Sequence, residues 1–453
     1  MRTISAISTP HGVGAVSMIR LSGDDAIEIA ERVFRPVGGK PLSHHSARQS
    51  VYGVFHDGDG DFDDGLATVF VAPNSYTGEN VVELMCHGGV LGTRRLLAAT
   101  FRAGATPAAA GEYTKRAFIN GKLSLSQAEA VGALIEAKTD ACLGVGIRQL
   151  GGALTKKINL CFEKLLRLTS SVYAYIDYPE EDMTDMSADE LKAELGTLKA
   201  TLAALKDSYR YGKAISEGVS CAIVGCPNVG KSSVLNMLIG EERAIVTPIA
   251  GTTRDVVTET VRLGDILLRL SDTAGIREGG GEIERIGIER SIKSLEGAEL
   301  VLAVFDGSKK QSDADGEVIR HIEEKGKTAL TVGLINKSDK GKGFTYDTPF
   351  PQITLSAKTG EGMEELKKAV GALYASTEDL GMGETVINAR QYSAVCRALS
   401  AVENALFALE SGFTQDVAGF DMEEAMGALA ELDGRSVSEE IVNDIFSRFC
   451  VGK

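Results

Sequence analysis

Gly225, Gly230, Lys231 and Ser232 set a G-x-x-x-x-G-K-S pattern within the stretch Gly-Cys-Pro-Asn-Val-Gly-Lys-Ser-Ser. Glycines at both ends let a backbone curl so that its N–H groups point at phosphate oxygens, and a helix N-terminus directly behind adds positive potential. In this pattern the lysine reaches the β- and γ-phosphates and the hydroxyl holds Mg²⁺, which assigns those roles to Lys231 and Ser232. Asn228, Val229 and Ser233 complete the candidate phosphate loop.

Four more short patterns follow in the order that a guanine-nucleotide domain needs. Gly251-Thr252-Thr253-Arg254-Asp255 offers Thr253 to sense a γ-phosphate through Mg²⁺, and Asp272-Thr273-Ala274-Gly275 puts Asp272 in the metal's outer shell and the Gly275 N–H near the γ-phosphate. In Asn336-Lys337-Ser338-Asp339 the last carboxylate can accept from both the N1–H and the 2-amino group of guanine, donors that adenine does not offer together. A site built on such a pair rejects the wrong base by roughly 10⁴-fold. Ser356-Ala357-Lys358 would support the base from its 6-oxo side. Hydrolysis is harder to place, because Ile276 follows Gly275 and an aliphatic side chain cannot orient water. Arg277, Glu278, Glu282, Glu284 and Arg285 flank Gly279-Gly280-Gly281; spacing alone leaves open which of them, if any, positions the attacking water.

The elements that must carry these residues can be read around them. Val219 to Val224 is an apolar run, as in a parallel strand buried on both faces, and Val234, Leu235, Leu238 and Ile239 then recur at helical spacing. Strands are predicted at Val257 to Leu263, Ile266 to Ser271, Leu330 to Ile335 and Gln352 to Leu355, each beside one of the motifs. Ahead of this region, Ile4 to Ser8, Ala15 to Leu21, Ala67 to Ala72 and Val81 to Cys86 read as strands, and Asp24 to Phe34 and Val90 to Arg102 as helices. These form a small α+β domain over 1–120. His87 follows one of the strands, and no carboxylate or second histidine at useful spacing accompanies it, so a structural role is expected. From Ser124 to about Ser216, and again from Val386 to Phe449, apolar residues recur every three or four positions. The economical arrangement is one helical domain, 121–216 with 379–453, into which the nucleotide domain, 217–378, is inserted. The expected fold class is multidomain α/β plus α.

A chain of 453 residues is too long for one core. With 25% charged and 43% hydrophobic residues it has an ordinary globular composition. No apolar run approaches the roughly 18 residues of a membrane span, and the opening Met1-Arg2-Thr3-Ile4-Ser5 has no signal-peptide layout, so a cytoplasmic protein is expected. The seven scattered cysteines read as reduced thiols. A net charge of −15 argues against a general basic surface for nucleic acid, while leaving room for a local patch or a partner that supplies one.

A resemblance runs from end to end. It is carried by Gly14-Ala15-Val16 to Arg20-Leu21-Ser22-Gly23, Pro73 to Asn80, Cys86-His87-Gly88-Gly89 and Gly111 to Phe118. It continues through Asn120-Gly121-Lys122, Gln127-Ala128-Glu129-Ala130, the nucleotide motifs, Glu284-Arg285-Ile286-Gly287 and Phe449-Cys450-Val451-Gly452-Lys453. Together these resemble the MnmE (TrmE) family of tRNA modification GTPases; Val451 and Ser124 depart from the family's usual residues without removing a proposed ligand. The resemblance implies a folate-binding α+β domain that forms a homodimer, a helical domain and an inserted Ras-like P-loop GTPase domain. It also implies an FAD-dependent partner, MnmG (GidA), in a heterotetramer-type complex that adds a carboxymethylaminomethyl or aminomethyl group at C5 of the wobble uridine of certain tRNAs.

Carried over by position, the resemblance assigns a K⁺ ion to the Asn228 side chain, the backbone carbonyls of Thr247 and Ile249, and Thr252. Pro248 does no harm there, because the ion takes oxygens; Ala250 and Gly251 lie in the same nucleotide loop. It nominates Glu284 to orient the attacking water. It assigns 5-formyltetrahydrofolate, or a related one-carbon folate, to Arg20, Glu79, Lys122 and Lys453, with the two cations Arg20 and Lys122 suited to the glutamate part and Glu79 to the pterin donors. A chain end is normally frayed. An ordered tail therefore requires the helix ending near Phe449 to deliver it to the N-terminal domain of the same or a partner subunit. Two other functions share these motifs. One is a regulatory GTPase of ribosome assembly, although such proteins usually carry a basic or aromatic RNA-binding appendage and this chain has no tryptophan and no basic tail. The other is a folate-dependent aminomethyltransferase that the G domain only regulates.

Overall fold

An antiparallel sheet organises the N-terminal part of the chain. The computed structural model describes residues 2–177, 187–241, 259–270, 295, 297–325, 330–341, 343–374 and 383–453. They fall into two units, Met1–Gly132 with Ala430–Lys453, and Ala133–Leu429. In the first unit β1 (Ile4–Ile7), β2 (Val16–Ser22), β3 (Phe34–Pro36), β4 (Ser50–Asp57), β5 (Gly60–Phe70), β6 (Val81–His87) and β7 (Thr106–Pro107) lie in the order β3-β4-β5-β6-β2-β1-β7. Only β1 and β7 pair in parallel. Helices α1 (Ala26–Glu31) and α2 (Val90–Arg102) supply Ala26, Ile29, Leu96 and Ala99 to a core shared with Ile19, Leu21, Phe55 and Leu84 of the sheet.

The structure adds β3, β4 and β7 to the strands read from the sequence, and two further features differ. The first helix stops at Glu31 rather than Phe34, because Phe34 pairs with Phe55 across β3 and β4 and buries its ring 5.1 Å from it. The strand expected at Ala67 to Ala72 is the inner end of a longer β5 that pairs with β4 back to Asp57↔Gly60. The outer half of β5 is polar and partly exposed, so it carries no apolar alternation.

The chain continues through α3 (Glu112–Ile119) and α4 (Leu125–Glu136) into α5 (Asp140–Leu150), α6 (Ala153–Asp177) and α7 (Ala188–Ser216). Thr139 caps α5 by accepting from the Cys142 N–H at 3.1 Å, and Ser187 with Glu190 forms a reciprocal capping box on α7. Along α7 the buried residues Leu191, Leu195, Leu198, Leu202 and Leu205 form one stripe, and each such leucine contributes about 1.5–3 kcal/mol by leaving water.

The second sheet runs β13-β12-β11-β8-β10-β9. Its strands are β8 (Val219–Val224), β9 (Glu259–Leu263), β10 (Ile266–Leu270), β11 (Leu300–Asp306), β12 (Leu330–Asn336) and β13 (Gln352–Thr354). All neighbours are parallel except β9 and β10. β11 is not among the strands predicted from the sequence, because no nucleotide motif follows it, yet every residue of it is buried, as in a strand with both faces covered. Helices α8 (Lys231–Glu241), α9 (Asp313–Lys325) and α10 (Met363–Tyr374) belong to this sheet region. After it come α11 (Ala389–Glu410), whose small buried residues Ala394, Ala398, Ala401 and Ala405 let it pack closely on α7, then α12 (Gln415–Asp433) and α13 (Glu439–Ser447). Among the described residues no helix is long and apolar enough to cross a membrane.

Candidate nucleotide-binding site and a polar cluster in the N-terminal unit

The C-terminal ends of β8, β11, β12 and β13 lie along one edge of the parallel sheet, where ligands of open α/β sheets bind. From β8 the chain enters Gly225 to Gly230, with Gly225 at φ 147° and Gly230 at φ 102°. A Cβ at Gly225 would strike the Val304 carbonyl oxygen, and one at Gly230 the Asn336 Nδ2, so both glycines are required by space as well as by φ. Helix α8 begins at Lys231, leaving its first N–H groups facing the loop. Lys231 Nζ donates to the carbonyl oxygens of Gly225 and Cys226, both at 2.8 Å. Burial holds its pKa below the ordinary lysine value, so a phosphate reaching it would meet a cation with little hydration to lose. The neighbouring Cys226 thiol is pushed up to about 12, first by burial and then by its bond to Asp315. It stays protonated and brings no negative charge to the loop.

The candidate base-recognition residues converge on the same loop. Asn336, at the end of β12, donates from Nδ2 to the Val229 carbonyl at 2.9 Å and accepts at Oδ1 from the Ala357 N–H at 3.0 Å. Lys337, at φ 71°, donates from Nζ to the Asn228 carbonyl at 2.7 Å and to Asp306 Oδ2 at 2.6 Å. Asp339 accepts at Oδ1 from the Ser356 hydroxyl at 2.9 Å, which orients its carboxylate and leaves lone pairs for two guanine donors. Asn228, at φ 62°, and Ser232, Ser233 and Lys358 complete the described set. Thr247, Pro248, Ile249, Ala250, Gly251, Thr252, Thr253, Asp272, Thr273, Ala274, Gly275 and Glu284 lie outside the described residues.

In the N-terminal unit, Arg20 on β2 donates to Glu83 Oε1 from Nε at 3.0 Å and from Nη2 at 2.8 Å, with the Tyr76 and Tyr113 rings 5.8 and 5.7 Å from its guanidinium. Its Nη1 reaches the Gly452 carbonyl at 3.3 Å. The tail is docked in its own chain: Val451 bridges Ala110, Ser8 Oγ donates to Gly452 O at 3.1 Å, and the Tyr113 N–H donates to Lys453 O at 3.2 Å. Phe446 and Phe449, their rings tilted against each other and packed beside Phe118 and Leu125, lead into it. Glu79 accepts from Arg116 Nη1 at 3.2 and 2.9 Å and from Ser22 Oγ at 2.7 Å; Lys122 Nζ donates to the Pro73 carbonyl at 3.0 Å. The tail thus reaches Arg20 directly, Glu79 is tied to the residue two beyond Arg20 on β2, and Lys122 is tied to the loop that leads to Glu79.

Two residues matter here that the sequence reading left without a role. Arg116 is buried and carries both Glu79 and Glu112, and Asp306 is buried under Lys337. The reading of His87 needs correction. A carboxylate does accompany it, since Asp63 on β5 accepts from His87 Nδ1 at 2.7 Å and from its backbone N–H at 3.2 Å. Asp63 is 24 positions away in the chain and reaches His87 only because β5 and β6 pair. Together with Asp64 the pair forms a trio of ligand-type atoms, of which only His87 is exposed.

Two family models match the chain: "GTP-binding protein TrmE N-terminus" over residues 3–122 and "MnmE helical domain" over residues 125–450. Relatives named tRNA modification GTPase MnmE are 41% identical in Symbiobacterium thermophilum and 38% in Clostridioides difficile, each alignment covering 100% of this chain and 99% of the relative. The solved G domain of the T. maritima FeoB iron transporter aligns with 34% of this chain and 97% of that one, at 26% identity and a TM-score of 0.25.

Proposed function

Because the chain belongs to the MnmE family and is a GTP hydrolase of tRNA modification, we propose that it works as a K⁺-stimulated GTPase with an FAD-dependent partner of the MnmG (GidA) type. Together they would add a carboxymethylaminomethyl or aminomethyl group at C5 of wobble uridines, drawing one carbon from a folate. The observation that carries the nucleotide part is the convergence of Asn336, Lys337 and the Asp339–Ser356 pair with the Gly225 to Lys231 loop. Lys231 and the α8 N-terminus would hold the phosphates and Asp339 the guanine edge. The glycine cradle and the Ser232 hydroxyl at the first turn of α8 suit Mg²⁺ bound with phosphates, with Thr253 as its second protein ligand; such an ion neutralises phosphate charge. Asn228, held at the crest of the loop by Lys337, would offer its side chain to K⁺, joined by Thr247, Ile249 and Thr252. Glu284 would orient the water.

Support for the folate site is the meeting of Arg20, the Glu79 network and the docked tail within one unit. Glu83 already offsets the Arg20 charge, so Lys122 and Lys453 become the stronger candidates for the anionic glutamate part. Homodimerisation through the N-terminal domain, a cytoplasmic location and the boundaries 1–120, 121–216, 217–378 and 379–453 belong to the same proposal. The test is mass spectrometry of wobble uridines in tRNA from cells lacking the gene. Loss of the C5 group, restored by the gene, is expected. Unchanged uridines with a ribosomal-subunit defect would move the protein to ribosome assembly, and modification that persists without GTP would make the folate domain the enzyme.

A further inference from the structure

Asp306 belongs to none of the nucleotide patterns, yet it is 6% exposed at the end of β11, beside the candidate nucleotide loop. Its Oδ1 accepts from the Ser308 N–H at 3.1 Å and the Ser308 hydroxyl at 2.6 Å, and its Oδ2 accepts from Lys337 Nζ at 2.6 Å. The same ammonium donates to the Asn228 carbonyl at 2.7 Å. The register of β11 on β12 sets Asp306 opposite Asn336, and the Gly307 N–H donates to the Asn336 carbonyl at 2.8 Å. A side chain at Gly307 would crowd Ile335 Cγ2 at 2.8 Å, so this close approach depends on glycine.

A buried carboxylate is costly unless paired, and this one is paired with the base-recognition loop rather than with a scaffold element. Lys337 and Asn228 are both non-glycine residues in the left-handed region, a conformation that persists only where surroundings impose it. One ammonium bridges them, and one carboxylate aims that ammonium. Burial raises the Asp306 pKa, but the bonds from Lys337 and Ser308 outweigh it and leave the carboxyl below its ordinary value, charged at neutral pH.

We propose that Asp306 is a positioning residue for guanine-nucleotide binding: it orients Lys337 so that the base-recognition loop and the phosphate loop are locked together before nucleotide arrives. It acts through Lys337 and touches no reacting atom. The inference rests on the nucleotide site described above, so wild-type protein binding GTP in preference to ATP is the control that separates a failure of that site from a failure of this role.

The experiment uses the full chain, fluorescent GDP and GTP analogues for affinity, steady-state hydrolysis for kcat, and thermal unfolding. Asp306→Asn keeps the shape and the Ser308 acceptor while removing the charge. Its Kd for both nucleotides should rise about ten- to hundredfold, the scale of a lost charge-assisted bond, with kcat at saturating GTP within about twofold of wild type. Ser308→Ala removes the turn hydroxyl without touching Lys337 and should leave Kd within about twofold. Adding Asp306→Asn to Lys337→Met should raise Kd no further than Lys337→Met alone, because the carboxylate then has nothing to aim. Unchanged Kd in Asp306→Asn, an equal loss in Ser308→Ala, or additive losses in the double variant would each show that Asp306 only shapes its turn. Should Asp306→Asn fail to fold, Asp306→Ser is read in the same three ways.

Discussion

Arg20 donates to the carbonyl oxygen of Gly452 at 3.3 Å, joining two residues 432 positions apart. The bond fixes the tail on β2, and Gly452 takes φ 98° to make it, in a place where a Cβ would run into the Ile7 carbonyl oxygen. Deleting Cys450 to Lys453, or substituting Gly452→Ala, should weaken formyl-tetrahydrofolate binding and tRNA modification and spare the GTPase cycle. Calorimetry with the folate decides it; unchanged affinity in both variants would remove the tail from the site.

On the proposed function, Asp339 would carry base choice. Asp339→Asn should lower GTP affinity by orders of magnitude and favour xanthosine triphosphate, whose 2-oxo group suits the new amide donor. The Ser356 hydroxyl can still bond the amide oxygen, so the loop should keep its shape. Competition binding with the two nucleotides checks this, and GTP affinity that does not move excludes Asp339 from the role.

Turnover should need K⁺ more than Na⁺. A cation placed by Asn228 near the β- and γ-phosphates would offset developing charge where other systems use an arginine finger. Glu284→Ala should abolish turnover and leave GTP binding intact. Equal rates in the two salts, or a wild-type rate without Glu284, would falsify this mechanism.

Arg116 is the hub of the N-terminal cluster. Its guanidinium, 7% exposed, bonds Glu79, Glu112 and the carbonyls of Ser22 and Arg2. Arg116→Gln would remove the cation that balances two carboxylates and leave them only neutral partners, Ser22 on Glu79 and the Ala109 N–H on Glu112, at a cost of about 3 kcal/mol and a fall in melting temperature on the order of 10 °C. Calorimetric unfolding of the full chain reports it, and a loss below about 1 kcal/mol would mean that water replaces the arginine.

His87 should titrate above the ordinary histidine value, because its bond to Asp63, reinforced by that charge, favours the imidazolium. With the folded pKa raised, the contribution to stability is fully present below the unfolded value near 6.5 and is lost as pH rises through the folded pKa. An NMR titration should show His87 returning to the ordinary range in Asp63→Asn. A His87 that does not respond to that change is not held by the carboxylate.

Part of the second sheet was legible because inner strands buried on both faces read as continuous apolar runs, Val219 to Val224 and Leu330 to Ile335 among them, whereas the equally apolar β11 carries no motif and is absent from the reading. Gly225 to Ser233 and Asn336 to Asp339 could be placed because each follows such a run in the sequence. The β4–β5 hairpin was not legible, since Gly60 to Asp64 is polar and finds its place only by pairing with β4. Pairing across strands also hides chemistry: Asp63 meets His87, and Asp306 meets Lys337, through sheet register that no local spacing encodes. Arg116 stood inside a recognised stretch, but its role depends on three chain segments meeting at one guanidinium.

Asn336 bonds the candidate phosphate loop with its amide nitrogen and the loop after β13 with its amide oxygen, and a side chain at position 230 would clash with that amide nitrogen, so the contact depends on Gly230. On the proposed function, one side chain would therefore act as a caliper, setting the span between the place for phosphates and the place for a purine. A ligand must match that span as well as the chemistry at either end, so a guanine base with a lengthened or shortened linker to its phosphates would satisfy one jaw only by leaving the other.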